Sequence, residues 1–290
     1  MTMQTESLLT RTKKLLKAYD LHARKGLAQH FLVDGGVVKQ ILAAAQLSPS
    51  DTIIEVGPGL GVLTGGLVKS VGKVIAIELD QRLAGLLKEK MASSDNLAVF
   101  NEDVLKTDPA QLLAPYGISD YKVVANLPYY ITGAVIRHFL EASLKPRLMV
   151  LMVQREVAKQ ITAKPGEMSL LSVSVQVYGV PKIAAKVPAR AFYPTPKVDS
   201  AVLRIDVYPQ PKVAVNNVDE FFRLVKAGFS ANRKQLVNSL ANGLVIPKTE
   251  VLPFLEKAGI DPKRRAETLT IEEWGQLLNI FRERGAHDNH

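Results

Sequence analysis

This sequence predicts an α/β fold: a doubly wound, Rossmann-like sheet with helices on both faces, followed by a small all-helical domain. Three observations carry that expectation. Short β-branched runs alternate with helix-period segments from Asp51 to Val153, the pattern of a parallel sheet covered by helices. A glycine-rich turn, Gly57-Pro-Gly-Leu-Gly61, directly follows the first of those runs. Beyond Pro209 and Pro211 only helical periodicity remains.

The elements follow in order. Residues 1–25 read as a basic helix with Leu8, Leu9, Leu15 and Leu16 as its apolar stripe, and Gly35 to Leu47 reads as a second helix. Strands are expected at Asp51–Gly57, Lys73–Glu78, Leu97–Phe100, Lys122–Ala125 and Leu148–Val153. Helices are expected between them at Leu63–Ser70, Gln81–Met91 and Ala134–Ala142. Leu171–Val177 and Ala201–Val207 read as two further strands flanking a proline-rich loop. The tail predicts helices at Asp219–Ser230, Arg233–Ala241, Thr249–Ala258 and Thr270–Arg284. This places one domain at 1–210, with 1–34 as an N-terminal basic helix and lid, and a helical domain at 211–290.

Composition narrows the chemistry. There are no cysteines among the 290 residues, which removes disulfides, thiolate metal sites and cysteine nucleophiles. The five histidines are scattered, so no metal is expected. No apolar run approaches the roughly 18 residues a spanning helix needs, and the N-terminus lacks a signal-peptide core. A cytoplasmic protein is therefore expected, with no membrane partner. The formal net charge of +9 suits a polyanionic partner.

Glycines at 57, 59 and 61 let the backbone turn tightly and approach a ligand closely. The dinucleotide fingerprint wants its third glycine one place later, where Val62 stands. The loop thus favours an adenosine ligand without a pyrophosphate and argues against a nicotinamide cofactor. Glu78 ends the next strand, where a carboxylate can accept from ribose hydroxyls. Asp103 follows the third strand, where a carboxylate can meet an adenine amine.

Asn126-Leu-Pro-Tyr129 falls on the same rim, just past the fourth strand. The Asn126 side-chain oxygen and the Leu127 carbonyl can take both protons of an exocyclic amine whose lone pair is conjugated into a ring. Pro128 restrains Leu127 to an extended conformation. Tyr129 offers a flat face on which a base can stack. Such an arrangement accelerates methylation by positioning, without a strongly perturbed base.

These motifs resemble the ribosomal RNA small subunit adenine dimethyltransferase family (KsgA type). The resemblance runs through Gln29–Asp34, Glu55–Gly61, Asn126–Tyr129, Val153–Val157, Phe192–Ala201, Arg233–Leu240 and Arg265–Leu269. It implies a class I S-adenosylmethionine-dependent methyltransferase sheet of about seven strands, the last two forming a reversed hairpin. It implies S-adenosyl-L-methionine as cofactor, held by His30, Leu32, Gly57, Gly59, Glu78, Asp103 and Asn126. It implies that Asn126, Leu127, Tyr129 and Phe192 act on the target, Phe192 sandwiching the adenine opposite Tyr129. The expected reaction dimethylates N6 of two adjacent adenines near the 3′ end of small-subunit (16S) ribosomal RNA in a pre-30S particle, by a monomer. The helical domain is expected to bind RNA or ribosome, with Arg233-Lys234 and Arg264-Arg265 as basic contacts. The chain departs from the family pattern at Leu27-Ala28, in the lid, where relatives usually carry an aromatic and a glycine. Two rival readings are a large-subunit (23S) adenine methyltransferase of the macrolide-resistance type and a mainly non-catalytic assembly factor. The tail motifs favour the small-subunit group over the first, and the intact Glu78, Asp103, Asn126 and Tyr129 argue against the second.

Overall fold

A computed structural model of the chain describes residues 6–20, 29–213, 218–231 and 233–287. Leu27-Ala28 lies outside the described residues. The strands are β1 Phe31–Leu32, β2 Thr52–Val56, β3 Lys73–Ile77, β4 Leu97–Phe100, β5 Lys122–Asn126, β6 Leu148–Gln154, β7 Gly179–Val187, β8 Phe192–Tyr193 and β9 Ser200–Val207. The helices are α1 Leu8–Ala18, α2 Gly35–Ala44, α3 Thr64–Leu67, α4 Gln81–Lys90, α5 Pro109–Leu113, α6 Thr132–Glu141, α7 Arg155–Ile161, α8 Leu170–Gln176, α9 Val218–Gly228, α10 Leu236–Leu244, α11 Lys248–Lys257 and α12 Ile271–His287.

Seven strands form one sheet in the order β4-β3-β2-β5-β6-β9-β7. Strands β4, β3, β2, β5 and β6 are parallel, and β9 runs antiparallel to β6. The parallel strands are apolar on both faces, as a sheet covered by helices requires, and Ile53, Ile54, Val74, Ile75, Val123 and Val124 have no exposed surface. The strand order reverses between β2 and β5, and ligands in such sheets bind beyond the carboxyl ends at that switch point. Register aligns the rim there. Val56 pairs with both Ile77 and Ala125, and Ile77 pairs with Phe100, so the residues that follow each strand come together.

Buried ions lock the opposite end of the sheet. Asp51 accepts from the Lys122 ammonium at 2.7 Å and from the Arg147 guanidinium. Lys122 also donates to the carbonyls of Ala45 and Gln46. All three Lys122 protons have acceptors and both Asp51 oxygens have donors, the Ser48 amide among them, which is what makes this buried pair tolerable.

Leu171–Val177, expected as a strand, is instead the helix α8. Its alternation of Val and Ser suits a strand, but Ser169 and Ser172 form a reciprocal capping box at the helix start. The strand lies just beyond, as β7, in a segment read as loop. Pro181 hides it, yet β7 is the edge of the sheet, where a missing N–H costs little. The last two strands of the sheet are therefore β7 and β9, and β9 lies between β6 and β7. The first helix is shorter than expected, ending at Ala18, and a two-stranded β1–β8 pairing was not foreseen.

The chain divides into two compact units: Met1–Ala158 with Pro181–Val207, and Lys159–Val180 with Tyr208–His290. Residues 159–180, α8 and the first two residues of β7 among them, thus group with the C-terminal helices. In this second unit Trp274 is fully buried and packs so close to Gly228 that a Cβ there would lie 2.3 Å from its ring. Arg264, flagged as a ribosome contact, pairs with Glu273 and donates to the Thr268 carbonyl. It joins the start of α12 to the turn before it, whereas Arg233 and Lys234 are exposed. No described helix is long and apolar enough to cross a membrane.

Candidate active site

The glycine turn is held open by its own backbone. Gly57 and Gly59 have φ of 66° and 56°, a region that costs a residue with a Cβ about 1–2 kcal/mol. The Gly57 amide donates to the Ile77 carbonyl at 2.9 Å, and the Gly59 amide donates to Glu78 Oε2 at 3.0 Å. Glu78 also accepts from the Asp80 amide at 3.0 Å through Oε1. Its buried carboxylate therefore ties the turn after β2 to the turn after β3. Burial raises its pKa, and these amide hydrogen bonds oppose that rise.

Asn126 ends β5. Its amide nitrogen donates to the His30 carbonyl at 3.2 Å, which turns the amide and fixes where its oxygen lies. Leu127 is buried, and Tyr129 starts a short 3-10 turn, Tyr129–Ile131. The Tyr129 hydroxyl pairs with Ser200 Oγ at 2.8 Å, which anchors the ring to β9. Burial raises the Tyr129 pKa, so the phenol stays protonated near neutrality. The His30 ring stacks on Tyr129 with centroids 5.9 Å apart and planes 25° apart, and His30 Nδ1 lies 2.7 Å from the Pro194 carbonyl oxygen.

One cleft collects nearly all these groups: His30, Leu32, Gly57, Gly59, Glu78, Asp103, Asn126, Leu127, Tyr129 and Phe192 all line it. Two of them also serve the fold. Asp103 caps the short turn Val104–Lys106 by accepting from the Leu105 amide, so part of its carboxylate serves the fold. Phe192 is 2% exposed and pairs with Leu32 across the β1–β8 ladder, packed in the same core cluster. It forms cleft wall, while the ring lying on Tyr129 is that of His30.

Glu55 also lines this cleft, and sequence reasoning did not single it out. It is 1% exposed, and neither carboxylate oxygen has a hydrogen-bond partner among the described residues. Burial pushes its carboxyl up to about 8; the nearby Thr64 hydroxyl and amide oppose that rise, and the neighbouring Glu78 charge adds to it. A buried acid in a strand otherwise made of Thr, Ile and Val was the available signal. Its unsatisfied oxygens suit a cationic ligand group. Among the described residues, no group of three or more His, Cys, Asp or Glu could hold a metal ion.

Comparison with known proteins assigns the architecture. Residues 21–283 match the family model described as ribosomal RNA adenine dimethylase. A ribosomal RNA small subunit methyltransferase A of Dehalococcoides mccartyi is 52% identical over 279 residues, covering 96% of this chain and 95% of the relative. The protein of that name from Clostridioides difficile is 42% identical, covering 93% and 94%. Among solved structures, a dimethyladenosine transferase from Plasmodium falciparum superposes with a TM-score of 0.77 at 26% identity, covering 88% of this chain and 98% of that one. The 23S rRNA methyltransferase ErmE superposes with a TM-score of 0.69 at 28% identity, covering 87% and 99%. With a family model matched across most of its length and relatives above 50% identity, the chain belongs to the ribosomal RNA adenine dimethylase family.

Proposed function

We propose that this enzyme transfers methyl groups from S-adenosyl-L-methionine to the N6 amines of two adjacent adenines near the 3′ end of small-subunit ribosomal RNA. The observation that carries the reading is the oriented Asn126 amide. Its nitrogen is engaged by the His30 carbonyl, so its oxygen is the atom offered to an incoming amine. The bound cofactor supplies an electrophilic methyl group on a sulfonium.

The fit of the cleft to that cofactor rests on charge and shape. Glu55 presents unsatisfied buried oxygens to a cationic group, and Glu78 offers its remaining lone pairs to ribose hydroxyls. Gly57 and Gly59 would leave room for the cofactor in the cleft, and Asp103 would offer a carboxylate oxygen to its adenine amine. The Asn126 oxygen and the Leu127 carbonyl would accept hydrogen bonds from the amine and favour a pyramidal nitrogen, which loses its proton to solvent after methyl transfer. Tyr129 gives the base its stacking face, on the side now shared with His30, and Phe192 supplies the wall behind it. The second compact unit is the expected RNA-binding part, with Arg233, Lys234 and Arg265 among its exposed cations.

Small-subunit RNA is favoured over large-subunit RNA by the named relatives at 42–54% identity. Calorimetric titration with the cofactor, followed by single-turnover methyl transfer to unmethylated small subunits, tests the reading. Tight binding with transfer that is lost in Asn126→Ala is expected. Binding without transfer by the intact chain would favour an assembly factor.

A further inference from the structure

A second cavity, of about 370 Å³, lies behind the glycine turn, between α1, α3 and α4. Among the described residues its ionisable wall groups are Arg11, Lys69 and Lys90, and the hydroxyl residues Thr12 and Ser94 also line it. No carboxylate of the described residues lines it. Lys90 donates to the Leu60 carbonyl at 2.8 Å, and Leu60 belongs to the turn that also walls the active-site cleft. Burial and the nearby Arg11 guanidinium both hold the Lys90 ammonium below the usual lysine range. Cations facing one another in a partly desolvated space leave an excess of positive charge that an anion would neutralise.

We propose that this cavity is a phosphate-binding subsite for the backbone of the RNA substrate. The volume holds a phosphate group with several waters, each taking about 30 Å³. Arg11 offers planar paired donors, Lys69 and Lys90 offer point charges, and the hydroxyls offer neutral donors. The remaining charges of α1 point to the same ligand. Its sequence contributes Arg11, Lys13, Lys14 and Lys17 and no acid. Lys14 pairs with Glu6, and Lys13 sits over the Tyr193 ring at 5.2 Å. The site adds affinity and register, and it takes no part in the chemistry. The inference rests on an RNA substrate and is independent of which adenines are methylated.

Arg11 and Lys69 are exposed, so the double variant Arg11→Gln/Lys69→Gln is expected to fold, as a thermal melt would verify. Binding of a fluorescent small-subunit RNA fragment would be measured across a series of salt concentrations. The double variant should bind about three- to tenfold more weakly at low salt. Its slope of log K against log[salt] should shrink by about 1, as for one lost phosphate contact. Cofactor affinity should not change. A folded double variant with an unaltered slope overturns the proposal. In a second arm, inorganic phosphate titrated into the wild-type protein should shift the amide resonances of Thr12 and Gly61 and compete with RNA. Shifts without competition would assign the cavity to free phosphate and overturn the RNA assignment. Binding is read without chemistry, so failure of methyl transfer leaves this test intact.

Discussion

The side-chain amide of Asn126 donates to the backbone carbonyl of His30 at 3.2 Å, joining the end of β5 to the residue that precedes β1. One hydrogen bond thus orients the proposed amine acceptor and couples it to a residue that lines the cleft. His30 is itself placed by stacking on Tyr129 and by the Pro194 carbonyl. The acceptor is therefore set before any substrate arrives, which is the condition for catalysis by positioning.

Replacing Asn126 by Ala should lower kcat on the order of 10²-fold, the scale for loss of one preorganised hydrogen-bonding group. Cofactor affinity should change far less, because the amine contact strengthens only as the nitrogen pyramidalises. Single-turnover rates and calorimetry separate the two. An equal loss in both would assign Asn126 to cofactor binding alone.

Glu78→Ala should weaken cofactor binding and also loosen the glycine turn, since Gly59 loses its acceptor. Glu78→Gln keeps an acceptor for that amide and should restore part of the affinity. Calorimetric titration of the three proteins checks the order wild type, Gln, Ala. Equal affinity in all three would remove Glu78 from the site.

Glu55 gives a pH signature. Its folded-state pKa of about 8 lies above the ordinary 4.5. Between those values the folded chain holds a proton that the unfolded chain has released, so this group's contribution to stability falls as pH rises from about 4.5 to about 8. Glu55→Gln removes that dependence. The ligand-free variant should melt higher than wild type at pH 8, and the difference should narrow towards pH 5. The same variant should bind the cationic cofactor more weakly. Melting curves at both pH values check this, and a difference that does not vary with pH would contradict it.

Much of this site was legible in the sequence because strand ends in a parallel sheet converge. The turn at Gly57, the acid at Glu78 and the motif at Asn126 each end a β-branched run, and register alone brings them to one rim. Other features depended on partners that periodicity does not encode. The α8 helix looked like a strand because Val and Ser alternate, and only the Ser169–Ser172 capping box decides against it. Strand β7 was concealed by Pro181, which only an edge position tolerates. Arg264 read as a nucleic-acid contact because its partner Glu273 lies on the next helix, beyond a turn. Glu55 escaped notice because its neighbours on the strand make it look like one polar residue in an apolar run.

Stability should depend most on the ions at the far end of the sheet. Burial alone would raise the Asp51 pKa, but Lys122, the Ser48 amide and Arg147 outweigh it and hold the carboxyl below its ordinary value. This stabilisation is present above the unfolded-state pKa and is lost as pH falls through the folded value. Asp51→Asn leaves Lys122 buried without its counter-charge and should cost about 3–5 kcal/mol in urea unfolding. A loss below about 1 kcal/mol would mean that the Ala45 and Gln46 carbonyls satisfy Lys122 by themselves.

The most direct test of the central claim is methyl transfer from radiolabelled S-adenosylmethionine. Unmethylated small subunits and naked large-subunit RNA would be offered separately, and the labelled nucleotides mapped by mass spectrometry. Dimethyladenine at two adjacent positions near the 3′ end of the small-subunit RNA, with none in the large-subunit RNA, is the predicted result. Label in the large-subunit RNA, or none in either despite measured cofactor binding, would contradict it.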